Sequence, residues 1–168
     1  MTRRNMLMVA TLGVALGSGL AGAQDAAPEP DNPLESFSRV IGGAWSNDGS
    51  AATFEWGFGH RSVIARSYAV AEDGSRKLVG QGFFYWDPEA ETIKSVSVAE
   101  GMPFDVFEMT SRFEGNVLIN ELRTIAADGT IGSYLETWEF TDSDTYVWTL
   151  HEGGLDGSVL MTDTYRRR

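Results

Sequence analysis

Residues 116–152 have the sequence NVLINELRTIAADGTIGSYLETWEFTDSDTYVWTLHE, and this stretch decides the fold. It contains three runs rich in Val, Ile, Thr, Tyr and Trp that have the length of strands, at 116–127, 131–140 and 145–152. Turn-forming residues separate these runs, as Asp128-Gly129 and Asp142-Ser143-Asp144. Connections this short join antiparallel neighbours. The stretch therefore predicts a β meander without a crossover helix.

The same pattern continues on both sides of this stretch. Further strands are predicted at 44–47, 52–59, 61–70, 78–86, 92–98, 104–114 and 158–166. A meander of about ten strands either exposes two long edges or curls until its first and last strands pair. Closure removes the edges, so the sequence predicts an all-β fold, an up-and-down antiparallel β-barrel of about ten strands.

A short helix is predicted just before the first strand. Four apolar residues recur there at helical spacing and form one face: Leu34, Phe37, Val40 and Ile41. Asn32 can cap this segment, and Gly42-Gly43 end it. Because an apolar face needs cover, we expect the helix to lie across one end of the barrel.

The N-terminus is typical of a secretory signal peptide, predicted at 1–23. Arg3 and Arg4 supply the positive charge, an uncharged apolar run follows, and Ala21-Gly22-Ala23 supplies the small residues that signal peptidase recognises. The run is shorter than a membrane anchor requires. The paired arginines also resemble a twin-arginine export signal. We therefore expect a protein of the periplasm or the cell exterior, with a disordered lead-in at 24–32 and one β-barrel domain at 33–168.

Composition narrows the range of partners. The chain has 13 Lys and Arg against 24 Asp and Glu, a formal net charge of −11. Such a charge repels phosphate backbones and anionic lipid, which argues against nucleic acid as a partner. Cysteine is absent from the sequence, so disulfides, cysteine nucleophiles and thiolate metal sites are excluded. The terminal Arg166-Arg167-Arg168 is predicted to be a solvated tail, and the protein is expected to be a monomer or a homodimer.

The two faces of the predicted strands separate only partly, which indicates an interior that is not purely aliphatic. Glu136 and Trp138 would share one face of a strand, so either the tryptophan lies outside or the glutamate lies inside. An aromatic wall with a few polar groups is typical of small-molecule cavities. The predicted ligand-binding residues are Trp56, Arg66, Tyr68, Tyr85, Glu136 and Trp138.

A resemblance to a known superfamily adds to this interpretation. A short helix, Gly43-Ala44-Trp45 and a β meander together resemble the calycin superfamily of lipocalins and related barrels. The runs at 54–57, 84–88 and 136–142 are similar to a secreted bacterial lipocalin-like branch of unknown function. The resemblance implies that Trp45 closes one end of the barrel under an arginine from a late strand, a place that Arg166 matches by order.

The long bent strands also resemble the nitrobindin-like branch, which implies an alternative function. Nitrobindins bind haem through a histidine near the C-terminal strands and act on peroxynitrite or nitric oxide, and His151 would be that ligand here. The run Ser46-Asn47-Asp48-Gly49 departs from the glycine-rich run that follows their Gly-x-Trp motif. The other histidine, His60, lies between two predicted strands and is expected to point to solvent.

Three functions remain open at this point. The leading hypothesis is an exported barrel that holds a small, partly apolar molecule and needs no cofactor. The second is haem binding through His151. The third is a cofactor-free isomerase or hydrolase, which needs buried carboxyls with raised pKa values, and the mid-strand candidates are Glu55, Glu108 and Glu136. Binding is preferred to catalysis, no residue is assigned a catalytic role, and two isolated histidines predict no metal site.

Overall fold

A computed structural model of the protein describes residues 32–168. The predicted signal peptide and nearly all of the predicted lead-in lie outside the described residues. A short 3₁₀ helix (Glu35–Arg39) precedes the first strand, and a second (Phe58–His60) follows the second strand. Within 32–168, no helix has the length and apolar character of a membrane span. The strands are β1 (Ala44–Ser46), β2 (Ser50–Trp56), β3 (Ser62–Val70), β4 (Arg76–Asp87), β5 (Thr92–Ala99), β6 (Val106–Glu114), β7 (Val117–Ile125), β8 (Ile131–Phe140), β9 (Thr145–Glu152) and β10 (Val159–Arg167).

The strands form a closed barrel. Each strand pairs antiparallel with the next in the chain, and β10 pairs with β1 to complete the circle. The predicted all-β, up-and-down antiparallel barrel of ten strands is therefore confirmed. The second strand ends earlier than predicted, because the chain turns between Trp56 and Ser62, where Gly59 and His60 have φ values of 59° and 56°.

The helix Glu35–Arg39 covers one end of the barrel, as predicted. Three apolar residues of this segment are buried: Leu34, Phe37 and Val40. The Phe37 ring lies 4.8 Å from Phe84 of β4 and 5.2 Å from Phe113 of β6, measured between ring centroids. The Asn32 side chain accepts a hydrogen bond from the backbone N–H of Leu34 at 3.1 Å, which fixes the start of the segment. These contacts attach the helix to β4 and β6.

Arg167, and not Arg166, closes this end. Trp45 lies opposite Arg167 in the β1–β10 register, and the guanidinium carbon lies 4.4 Å from the centroid of the Trp45 ring. The same guanidinium donates hydrogen bonds to the carbonyl oxygens of Arg39 at 2.6 Å and Gly42 at 2.9 Å. The predicted pairing was one residue off, because Arg166 points to the other face of β10. The prediction of a solvated tail was also wrong for Arg167.

The two ends of the barrel differ in what covers them. We call the helix-covered end the closed end. The opposite end, which we call the open end, is bordered by the loops at 47–49, 71–75, 100–105, 126–130 and 153–158. The buried core fills the closed half with aromatic rings that include Phe37, Trp45, Phe54, Phe84, Trp138, Phe140 and Tyr146.

Candidate functional site in the barrel lumen

The strand register decides which side chains face the lumen. Successive side chains of a strand alternate between the two faces, so the core residue Trp138 places Glu136 inside as well. Asn120 of β7 lies directly opposite Glu136, and Ser111 of β6 lies opposite Asn120. All three residues are buried. Ser111, Asn120 and Glu136 thus form a polar row across β6, β7 and β8 inside a largely aromatic interior.

Glu136 is the buried acid of this row. Its side chain is held in place by hydrogen bonds to the carboxyl, from Asn120 Nδ2 at 2.9 Å and from the indole N–H of Trp138. Trp148 of β9, opposite Trp138 in the register, faces the lumen beside it. Burial raises the pKa of the Glu136 carboxyl above its usual range, while the N–H groups of Trp148, Trp138 and Asn120 act in the opposite direction. The lumen therefore contains an oriented carboxyl that is easier to protonate than an exposed one.

A stack of three rings forms the wall next to Glu136. The ring centroids of Trp138 and Tyr146 lie 5.4 Å apart with an interplanar angle of 16°, and those of Tyr146 and Tyr165 lie 5.0 Å apart at 10°. Burial raises the pKa of Tyr146 well above its usual value and raises the pKa of Tyr165 as well. The Tyr165 hydroxyl is 2.7 Å from Ser50 Oγ. Both phenols are therefore neutral hydrogen-bonding groups at ordinary pH.

Four buried oxygens in the lumen have no hydrogen-bond partner among the described residues: Ser95 Oγ, Ser111 Oγ, Asn120 Oδ1 and Thr124 Oγ1. All four belong to residues that face inward by register and are at most 6% exposed. A buried polar group without a partner costs about 1–3 kcal/mol. Such groups in native proteins are usually satisfied by ordered water or by a ligand. The polar row and its surroundings therefore hold unused hydrogen-bonding capacity.

The β9–β10 side of the open half of the lumen is less tightly filled than the β7 side, where Leu122 and Thr124 are buried. Leu150 lies next to Glu136 in the register and is only half-buried. Met161, the inward neighbour of Leu150 on β10, is 55% exposed. Tyr134 is also half-buried, although the Phe104 ring lies 6.2 Å from it at the rim. Solvent therefore reaches inward-facing side chains beside the polar row from the open end.

Three of the six predicted ligand-binding residues face the lumen: Trp56, Glu136 and Trp138. Trp56 packs against the core from β2, and its ring stacks on His60 at 5.1 Å. His60 itself is exposed in the turn after β2, as predicted. Glu136 and Trp138 are in contact through the hydrogen bond described above. The sequence-based alternative, tryptophan outside or glutamate inside, is thus resolved in favour of the inward glutamate.

The other three, Arg66, Tyr68 and Tyr85, lie on the outer wall. The core residue Phe54 is opposite Ala65, so the neighbouring Arg66 and then Tyr68 point outward from β3. Tyr85 follows the core residue Phe84 and faces out in the same way. The structure does not bring these three side chains to the lumen, and their part in binding a ligand stays a prediction.

The predicted carboxylates are also divided between the two faces. On the outer wall, Glu55 forms an ion pair with Arg66, and Glu108 forms one with Arg123. Both glutamate side chains are about half exposed, at 54% and 48%. Glu108 and Arg123 also line an outer groove of about 350 Å³ that includes Tyr85. Of the three candidates, Glu136 alone is buried in the lumen.

The position of His151 does not fit a haem held in the lumen. His151 pairs with Leu135 in the β8–β9 register, and both side chains lie on the face opposite to Glu136 and Leu150. Its Nδ1 is buried without a partner among residues 32–168, on the outside of the barrel wall. An axial ligand would have to face the same space as the haem. In the same described range, no group of three or more His, Cys, Asp or Glu side chains could hold a metal ion.

No protein-family model matches the chain, and no curated protein matches its sequence. The closed ten-stranded antiparallel barrel is compatible with the calycin architecture. The resemblance to lipocalins and nitrobindins therefore stays a prediction at the level of the family.

The sequence interpretation missed most of the polar lumen, although one signal for it was present. Along β7, Leu118 and Leu122 are apolar, and Asn120 and Thr124 recur on the same face at a spacing of two. Polar residues on an otherwise apolar strand face indicate buried hydrogen-bonding groups. Ser95 and Ser111 gave no such signal, because their strands alternate less clearly.

Proposed function

We propose that the protein is an exported, lipocalin-like barrel that binds a small, partly apolar molecule in its lumen. The observation that carries this proposal is the set of four buried, unpartnered oxygens, two of them in the polar row, close to inward-facing side chains such as Met161 that are exposed to solvent. Export itself follows from the predicted signal peptide and is part of the proposal.

The make-up of the lumen supports a binding site more than a purely structural core. Small-molecule sites are lined mainly by apolar and aromatic side chains, with a few polar groups that orient the ligand. The lumen has this composition, with Trp138, Tyr146 and Tyr165 as the wall and Asn120 and Glu136 as orienting groups. A core that only stabilises the fold gains more from apolar side chains than from a buried carboxyl.

The pairing within the polar row supports the same reading. Ser111 and Asn120 are direct neighbours across β6 and β7, yet neither Ser111 Oγ nor Asn120 Oδ1 is used in a hydrogen bond between described residues. Polar groups that serve only the fold are normally paired with each other. A ligand group placed at this row would satisfy both oxygens.

Binding is tested with a fluorescent apolar probe, N-phenylnaphthylamine, and with native mass spectrometry of the gently purified protein. We expect probe fluorescence to rise on binding and a retained small molecule to be seen. The variant Leu150→Trp fills the lumen beside Glu136 and should abolish probe binding. Thr149→Trp places the same ring on the outer wall and is the matched control that should bind normally. Equal binding by both variants, or none by the wild-type protein, would refute a luminal site.

A further inference from the structure

The charges that face the lumen are unevenly distributed. Glu136 lies at its centre, Asp163 of β10 faces inward opposite Trp148, and Glu152 faces inward at the open rim. Burial is the main cause of the raised pKa of Tyr165, and the negative charges of Asp163 and Glu136 add to it. Glu136, Glu152 and Asp163 thus face the lumen from β8, β9 and β10, the strands that carry the aromatic wall.

Basic side chains that face inward from the strands lie only at the two ends of the described barrel, and both are paired. Arg167 is at the closed end, where it forms an ion pair with Asp144 at 3.1 Å and lies over Trp45. Lys77 is at the open rim, where it pairs with Glu100 at 2.8 Å. No lysine or arginine of the ten strands therefore faces Glu136 or Asp163.

Trp148 offers an aromatic surface between the two acids. It lies opposite Trp138 on one side and opposite Asp163 on the other. The ring is half-buried, and its N–H acts to lower the pKa of Glu136. Among residues 32–168, no other aromatic ring stacks on it, in contrast to Trp138 and Tyr146. Tryptophan is the best aromatic partner of a cation, especially where both are shielded from water.

The unpartnered luminal hydrogen-bonding atoms of the described chain include none that can only donate. Asn120 Oδ1 is an acceptor without a donor in the described chain, and ionised carboxylates only accept. The serine and threonine hydroxyls can serve in either role. A ligand that donates hydrogen bonds and carries positive charge would complement this set better than one that accepts.

We propose, on the basis of the luminal binding function above, that the ligand is an organic cation: an ammonium group on a partly apolar frame, held between Glu136, Asp163 and Trp148. The ammonium group donates to Asn120 Oδ1 and the carboxylates, and the apolar frame lies toward Leu150 and the open end. The negative net charge of the whole chain favours the approach of such a ligand and disfavours anions.

The proposal is tested by isothermal titration calorimetry with three probes that share one aromatic frame and differ in charge. These are phenethylammonium, phenylethanol and phenylacetate. We expect phenethylammonium to bind about tenfold or more tightly than phenylethanol, because charge pairing in a partly desolvated site is strong, and phenylacetate to bind most weakly. Comparable affinities for the cation and the alcohol, or tighter binding of the anion, would overturn the cation proposal.

Two variants locate the effect, and a third is the control. Glu136→Gln should weaken phenethylammonium about tenfold and leave phenylethanol nearly unchanged, since it removes one partly desolvated charge. Asp163→Asn should act in the same direction with a smaller loss, and it carries the test if Glu136→Gln does not fold. Glu108→Gln removes the same charge from the outer wall and should change neither affinity. Equal losses of phenethylammonium affinity in all three variants would show that the net charge of the protein causes the effect, and would overturn the proposed cation site.

The outcomes separate this inference from the function on which it rests. If N-phenylnaphthylamine binds in the lumen while phenethylammonium does not, the cation inference fails and the proposed function stands. If neither probe binds and native mass spectrometry shows no retained molecule, both fail. If phenethylammonium binds and Leu150→Trp abolishes its binding, both are supported.

Discussion

Asn120 and Glu136 face each other across β7 and β8, and the amide nitrogen lies 2.9 Å from a carboxyl oxygen inside the barrel. Both residues are buried. The neutral amide of Asn120 orients the carboxyl but does not neutralise its charge, whereas an arginine in that place would do both. The pKa of Glu136 therefore stays raised by burial in spite of the hydrogen bonds that it accepts. This pair makes Glu136 the group through which pH acts on the lumen.

The first prediction concerns stability and pH. Consider pH values between about 4.3, the usual glutamate pKa, and the raised pKa of Glu136 in the folded state. In this range the folded protein keeps a proton on Glu136, whereas the unfolded chain has released it. The contribution of Glu136 to the free energy of unfolding therefore falls as pH rises through this window. Glu136→Gln removes the titration, so its stability relative to wild type should increase from pH 4 upward and then level off, as measured by urea unfolding.

The outer-wall variant Glu108→Gln is the control for this experiment. Its carboxyl is about half exposed and paired with Arg123, so its removal should give no comparable rise with pH. A stability difference between Glu136→Gln and wild type that is flat between pH 4 and pH 8 would contradict the raised pKa.

The second prediction tests the amide of the polar row. Asn120→Ala removes one donor from a buried carboxyl and leaves a small gap, so it should lower the free energy of unfolding by about 2 kcal/mol at neutral pH. The same change should raise the pKa of Glu136 further, because a hydrogen bond to the charged form is lost. Carboxyl-carbon NMR titration measures this shift, and an unchanged or lowered pKa would show that the amide does not stabilise the charge.

The third prediction tests the closure of the barrel. Arg167→Ala removes the cation over Trp45 and its hydrogen bonds to the carbonyl oxygens of Arg39 and Gly42, and should cost about 3 kcal/mol of unfolding free energy. Arg166→Ala, its neighbour on the exposed face, should change stability by less than about 0.5 kcal/mol. Chemical unfolding of both variants is the measurement, and equal effects would assign no special role to Arg167.

The fourth prediction concerns the pH dependence of cation binding. The titratable groups that face the lumen near Glu136 from β9 and β10 are Tyr146, Glu152, Asp163 and Tyr165, and the raised pKa values of both tyrosines keep them neutral below about pH 10. Phenethylammonium affinity should therefore increase as pH rises through the raised pKa of Glu136, because ionisation adds a charge next to the ligand. The dependence should be much weaker in Glu136→Gln. Affinity that falls with rising pH between 5 and 8 would contradict this account.

The fold could be predicted from the sequence because its signals are local. Turn residues such as Asp128-Gly129 and the β-rich runs between them place the strands, and the need to pair long edges closes the barrel. The apolar face of the short helix also predicted that the helix covers one end of the barrel. The end of β2 was the main exception, since the Gly57–Arg61 turn follows an aromatic run without a Pro, Asn or Asp signal.

The site could be predicted only in part, because the strand register determines whether a side chain points into the barrel or out of it. In β8 the alternation places Glu136 on the same face as Tyr134 and Trp138, but the sequence left open whether that face points inward, and the register decided it. In β3 both faces mix polar and apolar residues, and a register shift between Ser67 and Tyr68 disturbs the alternation, so the outward position of Arg66 was not evident. The outward position of His151 could have been predicted, since Tyr146 and Trp148 define the inner face of β9 at even-numbered positions.

The most direct test of the luminal site is an NMR titration of the five tryptophan indole N–H signals with phenethylammonium and N-phenylnaphthylamine. The Trp138 indole donates to Glu136, and Trp148 lies opposite Trp138 on the same inner face, whereas the Trp45 indole donates to the Val40 carbonyl at 2.9 Å in the closed end. We expect the Trp138 and Trp148 signals to shift on addition of either probe and the Trp45 signal to stay in place. Unchanged signals from Trp138 and Trp148 at saturating probe would contradict a ligand site in the lumen.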